Sequence, residues 1–261
     1  MPYTLLQITD CHLGAKAGSR LLGLDTDLSL QYVLDDMFAE FTRPDVLVCS
    51  GDLSNDHGVV EPYRRLIDTL PQDIPQLWLP GNHDDNACMQ SVMDGQRQFL
   101  GHYLLGNWCI TLLDSSIPEE VPGSIASSEL ARAIATLQQY PQHHHLMFMH
   151  HHLQPVGCRW LDTQVIDNAG EVLAALQAYP QLKMIICGHV HQDSHQRFAH
   201  IDLYSTPSTC IQFKPASDDF AVGSEMPGFR WLTLHDDGRY ETGVNRIRHR
   251  ELSIEQGSKG Y

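Results

Sequence analysis

The chain has 261 residues and is 42% hydrophobic, ample for a core, so one large α/β domain spanning 1–261 can account for its length. It carries 32 acidic against 17 basic residues, a formal net charge of -15, and no Lys/Arg-rich run, which argues against binding the phosphate backbone of nucleic acid. No apolar stretch approaches the ~20 residues of a membrane span, so no membrane partner is expected.

Met1-Pro2-Tyr3-Thr4 opens the chain without the basic region or cleavage pattern of a signal peptide. The first predicted strand runs from Thr4 to Thr9. A helix follows from Leu30, with apolar residues at Val33, Leu34, Met37, Phe38 and Phe41 on one face, ended by Pro44. Short runs rich in Ile, Leu and Val then predict strands at Val46 to Ser50, Gln76 to Leu79, Trp108 to Leu113, Leu146 to Met149 and Met184 to Cys187, buried on both faces. Between them, Leu130, Ile134 and Leu137 form one helical stripe, and Val172, Leu173, Leu176 and Tyr179 another. This alternation argues for α/β layering. The C-terminal part reads as strands at Arg197 to Thr206, Gly228 to Leu234 and Tyr240 to Ile247, with a turn at Asp237-Gly238. These predict a second, partly antiparallel sheet packed against the first. Lys214 to Met226 reads as a loop. From about 251 the chain becomes a polar tail, expected to be mobile over 255–261. The seven cysteines (11, 49, 88, 109, 158, 187 and 210) are scattered and lack a CxxC pair, so a reducing cytoplasm is the natural location. Cys49 and Cys187 fall in apolar runs and are expected in the core.

Five blocks recur at or near the ends of these strands. They are Asp10-Cys11-His12, Gly51-Asp52, Gly81-Asn82-His83-Asp84, His150-His151-His152 and Gly188-His189-Val190-His191. Each alone could be a turn, a cap or a satisfied core histidine. Together they offer carboxylate, amide and imidazole donors at strand ends, where α/β sheets bind ligands. That donor set suits borderline divalent ions such as Mn, Fe, Zn or Co. Asp52 is the natural bridge, because one carboxylate can give an oxygen to each of two ions. Such a pair lowers the pKa of a bound water and clamps the attacking and leaving oxygens of a displacement at phosphorus. Two divalent ions, two aspartates and one hydroxide leave a net charge of about +1 to attract a phosphate to an acidic protein.

At these residues the chain resembles the calcineurin-like metallophosphoesterases, whose pattern is D-x-H, G-D, G-N-H-D/E, H and G-H-x-H. The resemblance implies a layered α/β/β/α sandwich of two mixed sheets flanked by helices, the metallo-dependent phosphatase-like fold. It implies two divalent metal ions, iron and/or manganese first, with zinc or cobalt also compatible. One would take Asp10, His12, Asp52 and His191, and the other Asp52, Asn82, His150 and His189. His83 would act on the leaving oxygen, and His12, Asp52, Asn82, His83 and His191 would meet the substrate. Asp84 could orient His83 or cap a helix.

Outside the motifs, Leu21-Leu22-Gly23, Gly157-Cys158-Arg159-Trp160-Leu161-Asp162, Asn168-Ala169-Gly170-Glu171, the stretch 206–215, Pro227-Gly228 and the Gly-Tyr terminus resemble the bacterial class III 3',5'-cyclic AMP phosphodiesterases. That resemblance implies cyclic AMP as the small-molecule substrate. A broader phosphodiesterase acting on 2',3'-cyclic nucleotides or glycerophosphodiesters is the nearest alternative. A non-catalytic metal or cyclic-nucleotide binding protein is the alternative of another class. The chain departs from many relatives by placing Leu153-Gln154, rather than proline, after the histidine triplet. Trp160 and Phe213 could stack on a purine or simply pack in the core, and core packing is the expectation. His143-His144-His145 is expected on a solvated loop edge, and His195 and His200 at the surface. No pattern specifies an oligomeric state.

Overall fold

Most of the apolar runs fold as strands covered on both faces. The computed structural model describes residues 2–95, 97–248, 250–255, 257, 258 and 260. In chain order the elements are β1 (Tyr3–Ile8), the short pair β2 (Arg20–Leu21) and β3 (Leu24–Asp25), α1 (Thr26–Glu40), β4 (Val46–Ser50), α2 (Glu61–Thr69), β5 (Gln76–Leu79), α3 (Asn86–Gln90), β6 (Arg97–Phe99), β7 (Gly101–Leu105) and β8 (Trp108–Leu112). There follow α4 (Ser127–Gln139), β9 (His144–Phe148), α5 (Arg159–Asp162), α6 (Ala169–Leu176), β10 (Leu182–Cys187), β11 (Ser194–Phe198), β12 (Ile201–Ser205), β13 (Gly228–Leu234) and β14 (Tyr240–Arg246).

Two six-stranded mixed sheets result, in the orders β14-β13-β1-β4-β5-β6 and β11-β12-β10-β9-β8-β7. Alternation along each strand explains their layering, because successive side chains point to opposite faces. Val46 and Val48 of β4 face the layer between the sheets, while Leu47 and Cys49 face α1 and α2. In β9, Leu146 and Phe148 enter the same central layer, and Met147 packs towards α4 and α6. The order is therefore helix, sheet, sheet, helix. No described helix is long and apolar enough to cross a membrane. All seven cysteines are free, and Cys49 and Cys187 are buried as expected.

The C-terminal strands depart from expectation. They do not make a sheet of their own. Arg197 to Thr206 folds instead as the hairpin β11–β12, turning at Ala199 with φ 53°, and β12 extends the second sheet beside β10. The β13–β14 hairpin joins the first sheet, with β13 antiparallel to β1. Each hairpin brings its own apolar face, so each completes the sheet whose edge it meets.

The helix expected from Leu30 begins at Thr26, where Asp25 accepts the Leu28 N–H as N-cap. Helix α2 carries Pro62 in its first turn and buries Tyr63 and Leu66. Of the histidine triplet only His143 stays at the loop edge, since His144 and His145 lie in β9 and His145 is fully buried with Nε2 on the Tyr140 carbonyl. Leu252 and Ile254 pack on the body, and Glu255 N–H donates to the Leu22 carbonyl. Of the tail expected to be mobile, residues 256, 259 and 261 lie outside the described residues.

One end of the central layer is polar. Gln7 of β1 donates to Ser50 Oγ of β4 at 2.7 Å and accepts from Thr206 Oγ1 at 2.6 Å. Arg230, 2% exposed, donates to Thr206 Oγ1, the Ser205 carbonyl and Asp193. The network joins the two sheets immediately behind the strand ends. Arg230→Ala is expected to cost about 2–4 kcal/mol, because buried acceptors lose their donor. Urea unfolding at unchanged m-value would measure it, and a loss below about 0.5 kcal/mol would show that the network does not hold the sheets together.

Candidate metal centre

All five blocks lie just beyond C-terminal ends of parallel strands. Asp10 and His12 follow β1, Asp52 follows β4, and Asn82 and His83 follow β5, three adjacent strands of the first sheet. His150 follows β9, and His189 and His191 follow β10, adjacent strands of the second. The site therefore straddles both sheets. A direct tie closes the gap, as the backbone N–H of His189 donates to both Asp10 carboxylate oxygens at 3.1 Å.

The local backbone is bent to this purpose. Asp10, His12, Asp52, His189 and His191 all have positive φ between 47° and 65°. Such conformations cost free energy for residues other than glycine and cluster at functional sites. Gly51, at φ 95°, and Gly81 are required by close approach. A Cβ on Gly81 would lie 2.2 Å from Asp52 Oδ1, and one on Gly51 2.4 Å from His150 Nδ1.

Hydrogen bonds behind the site choose the tautomers. His191 Nδ1 meets the Ile211 carbonyl at 2.8 Å, His150 Nδ1 the Ser50 carbonyl at 3.0 Å, and His12 Nδ1 Asn55 Oδ1 at 3.3 Å. Each partner is an acceptor, so each Nδ1 carries a proton and each Nε2 is turned towards the cluster. His189 is held the other way, with Nε2 on Gln164 Oε1 at 2.8 Å, which leaves Nδ1 free to ligate. Outer partners of this kind fix the orientation of metal-binding histidines.

These groups converge. His12 Nε2 and His191 Nε2 are 3.3 Å apart, and His191 Nε2 is 3.2 Å from Asp10 Oδ1. Asp52 Oδ2 is 3.2 Å from His150 Nε2 and 3.8 Å from His12 Nε2. Asn82 Oδ1 is buried without a hydrogen-bond partner, and His150 Nε2 makes no aligned hydrogen bond despite the nearby carboxylate. Converging carboxylate, amide and imidazole groups of this kind repel one another unless protons or cations sit among them. The groups Asp10–His12–His191 and Asp10–Asp52–His150 each bring their ligand atoms within 4.8 Å of one another. The donor set thus fits divalent ions.

The electrostatics agree. Burial pushes His12 down to about 3 and His189 well below its usual value, so both stay neutral and able to ligate. Burial raises the Asp10 and Asp52 carboxyls, but neighbouring histidines outweigh it and hold both below the usual range. Burial also lowers His150, yet Asp52 and Asp10 more than offset this and raise it to about 10. A cation must then displace the His150 proton. Metal affinity is expected to rise about tenfold per pH unit from pH 6 to 8, with about one proton released per site filled at His150. Calorimetry in buffers of different ionisation enthalpy would read that release, and a pH-independent affinity would refute it.

The remaining residues sort out by contact. His83 is half-buried, its N–H donates to Asp52 Oδ1 at 2.9 Å, and its ring meets the His12 ring edge-on at 4.9 Å. Asp84 neither orients His83 nor caps a helix. Its carboxylate accepts the N–H groups of Gly81, Leu53 and Ser54 and the Tyr63 hydroxyl, tying the loops after β4 and β5 together. Asp85 is the cap, for α3. His151 has Nδ1 on Ser115 Oγ at 2.8 Å and Nε2 on the Val121 carbonyl at 3.0 Å, so its ring braces a loop and is spent as a ligand. His152 is buried and stacks on His189. Leu153 packs in the core under α4 and α6. Gln164 and Asn55, which hold His189 and His12 in place, carry no motif and become visible only through their contacts.

A cleft of about 230 Å³ opens on Asp52, Asn82, His83 and His189, walled by Trp160, Phe213 and others. A smaller and almost wholly apolar pocket of about 20 Å³ lies behind His151 and His152 and is lined by none of the expected ligands.

Comparison with known proteins matches this geometry. The family model described as calcineurin-like phosphoesterase matches residues 3–193. A Pseudomonas aeruginosa protein named 3',5'-cyclic adenosine monophosphate phosphodiesterase CpdA is 38% identical over 260 residues, covering 98% of this chain and 94% of its own. The Escherichia coli (strain K12) protein of the same name is 36% identical over 264 residues, with the same coverage. Among solved structures, a dimetal phosphatase from Danio rerio superposes with a TM-score of 0.64 at 15% identity, covering 95% of this chain and 100% of its own, a likeness of fold.

Proposed function

Because the chain belongs to the calcineurin-like phosphoesterase family, we propose that it hydrolyses 3',5'-cyclic AMP to 5'-AMP at a centre for two divalent cations. The observation that carries this reading is the convergence of carboxylate, amide and imidazole donors around Asp52, beside an open cleft that His83 lines. Relatives named for this activity, alike over nearly the whole chain, support the substrate.

Asp10, His12, Asp52 and His191 would hold one cation, and Asp52, Asn82, His150 and His189 the other. When bound, the pair supplies a hydroxide nucleophile at neutral pH and offsets the charge of the phosphate. The residues of the chain do the rest. Asp52 sets the spacing of the two positions and fixes the 82–84 turn through the His83 N–H. Asn82 and His83 face the cleft, where the scissile phosphate would lie. Attack at phosphorus breaks the bond to the 3' oxygen, and His83 gives that oxygen its proton. Iron and manganese are the cations we expect, zinc or cobalt being compatible with the same donors.

Metal-stripped protein should be inactive on 3',5'-cyclic AMP and should recover on adding Mn or Fe. Product 5'-AMP is the readout, with 2',3'-cyclic AMP and bis-p-nitrophenyl phosphate alongside. Cleavage of the generic diester with little action on 3',5'-cyclic AMP would keep the metal chemistry and overturn the substrate. Tight cyclic AMP binding without turnover would overturn the enzymatic reading.

A further inference from the structure

Away from the cation cluster the cleft changes character. Trp160 of α5 and Phe220 of the 214–226 loop are half-buried and line it. Phe213 is buried behind them, its ring 4.9 Å from Trp160 and 5.6 Å from Phe220, with all three rings packed edge to face. Phe213 also lies flat on His191, 4.1 Å away with 8° between the planes. The aromatic wall therefore starts at a proposed metal ligand and runs outward along the same cleft.

A phosphate needs none of this surface. Half-exposed indole and phenyl rings next to charged groups are relieved by a flat apolar ligand, which gains from both hydrophobic burial and ring stacking. One polar feature narrows the ligand further. Gln164 gives its Oε1 to His189, so its amide NH₂ is left as a donor in the cleft lining. A planar ring with acceptor nitrogens on its edge, joined to a phosphate, offers a face to the aromatic wall and an acceptor to this amide. That description is a nucleobase.

We propose that Trp160 and Phe220 form the nucleobase subsite of this centre, with the Gln164 amide as its polar contact. The proposal rests on the phosphodiesterase reading above and adds where the base lies.

The test compares wild type, Trp160→Ala, Trp160→Phe and Phe220→Ala on two substrates, with metal content measured for each. One substrate is 3',5'-cyclic AMP. The other is the 3',5'-cyclic phosphate of 1-deoxyribose, which lacks a base. Base–aromatic stacking predicts that each alanine variant loses about 5- to 150-fold in kcat/KM on cyclic AMP, mainly through KM. The loss on the base-free diester should be far smaller, and Trp160→Phe should recover most of the difference. Parallel losses on both substrates would overturn the subsite and leave the wall as a brace for His191. Unchanged kinetics on cyclic AMP would overturn it as well. A wild-type protein that cleaves the base-free diester as well as cyclic AMP would remove any role for base recognition. A wild-type protein active on neither would instead overturn the phosphodiesterase reading, and the subsite with it.

Discussion

Asp52→Ala is expected to lower kcat/KM on 3',5'-cyclic AMP by about 10⁴-fold or more and to reduce bound metal from two equivalents to less than one. Asp52 lies within reach of both histidine groups, at 3.2 Å from His150 Nε2 and 3.8 Å from His12 Nε2. Its other oxygen holds the His83 N–H at 2.9 Å. Removing it takes an anion from both cation positions and frees the turn that carries Asn82 and His83. Loss of the charge stabilisation that a metal pair supplies corresponds to about 5–6 kcal/mol at the transition state. Asp52→Asn keeps the shape and one acceptor but loses the charge, so it should retain the fold and still lose most metal. Elemental analysis beside steady-state kinetics would decide. If Asp52→Ala kept both metals, the bridging role would be wrong.

His83→Ala is expected to behave differently. Metal content should stay near wild type, because the N–H that His83 gives to Asp52 is a backbone group and survives the substitution. The kcat on cyclic AMP should fall about 10²–10⁴-fold, the usual contribution of a positioned proton donor. The 3' oxygen leaves as an alkoxide and needs that proton, whereas p-nitrophenolate leaves unaided. The loss on bis-p-nitrophenyl phosphate should therefore be much smaller. Equal losses on the two substrates would assign His83 to phosphate binding and not to proton transfer.

Much of this site was legible before folding. Asp10, His12, Asp52, Asn82, His150, His189 and His191 stand in blocks whose donor chemistry is unusual, and strand periodicity placed most of those blocks at strand ends. Parallel strands carry their ligands at one end, so the convergence of the first three blocks follows from the topology that the alternation implies. The apolar runs of β4, β9 and β10 read as doubly buried strands because two layers do cover them.

Other features had no local signal. Asp84 reads like a partner for its neighbour His83, yet four donors from three separate segments claim its carboxylate. The adjacent histidines 150 and 151 are alike in sequence, and only the positions of Ser115 and Val121 tie up both ring nitrogens of His151 while His150 Nε2 stays turned towards the cluster. The aromatic wall draws Trp160 from α5 and Phe213 and Phe220 from the segment between β12 and β13, and Phe220 stands among Asp, Ser and Ala residues that announce nothing.

The sequence by itself determined the donor inventory, the α/β layering and the strand ends at which most of the donors stand. These follow from short-range rules, since periodicity and residue chemistry act within a few positions of the chain. The tertiary structure alone decided which sheet each C-terminal hairpin joins, which nitrogen of each histidine faces the cluster, and which loops wall the cleft. Those outcomes depend on hydrogen bonds between residues as far apart as Asp10 and His189, 179 positions along the chain, and no local pattern records such a pairing.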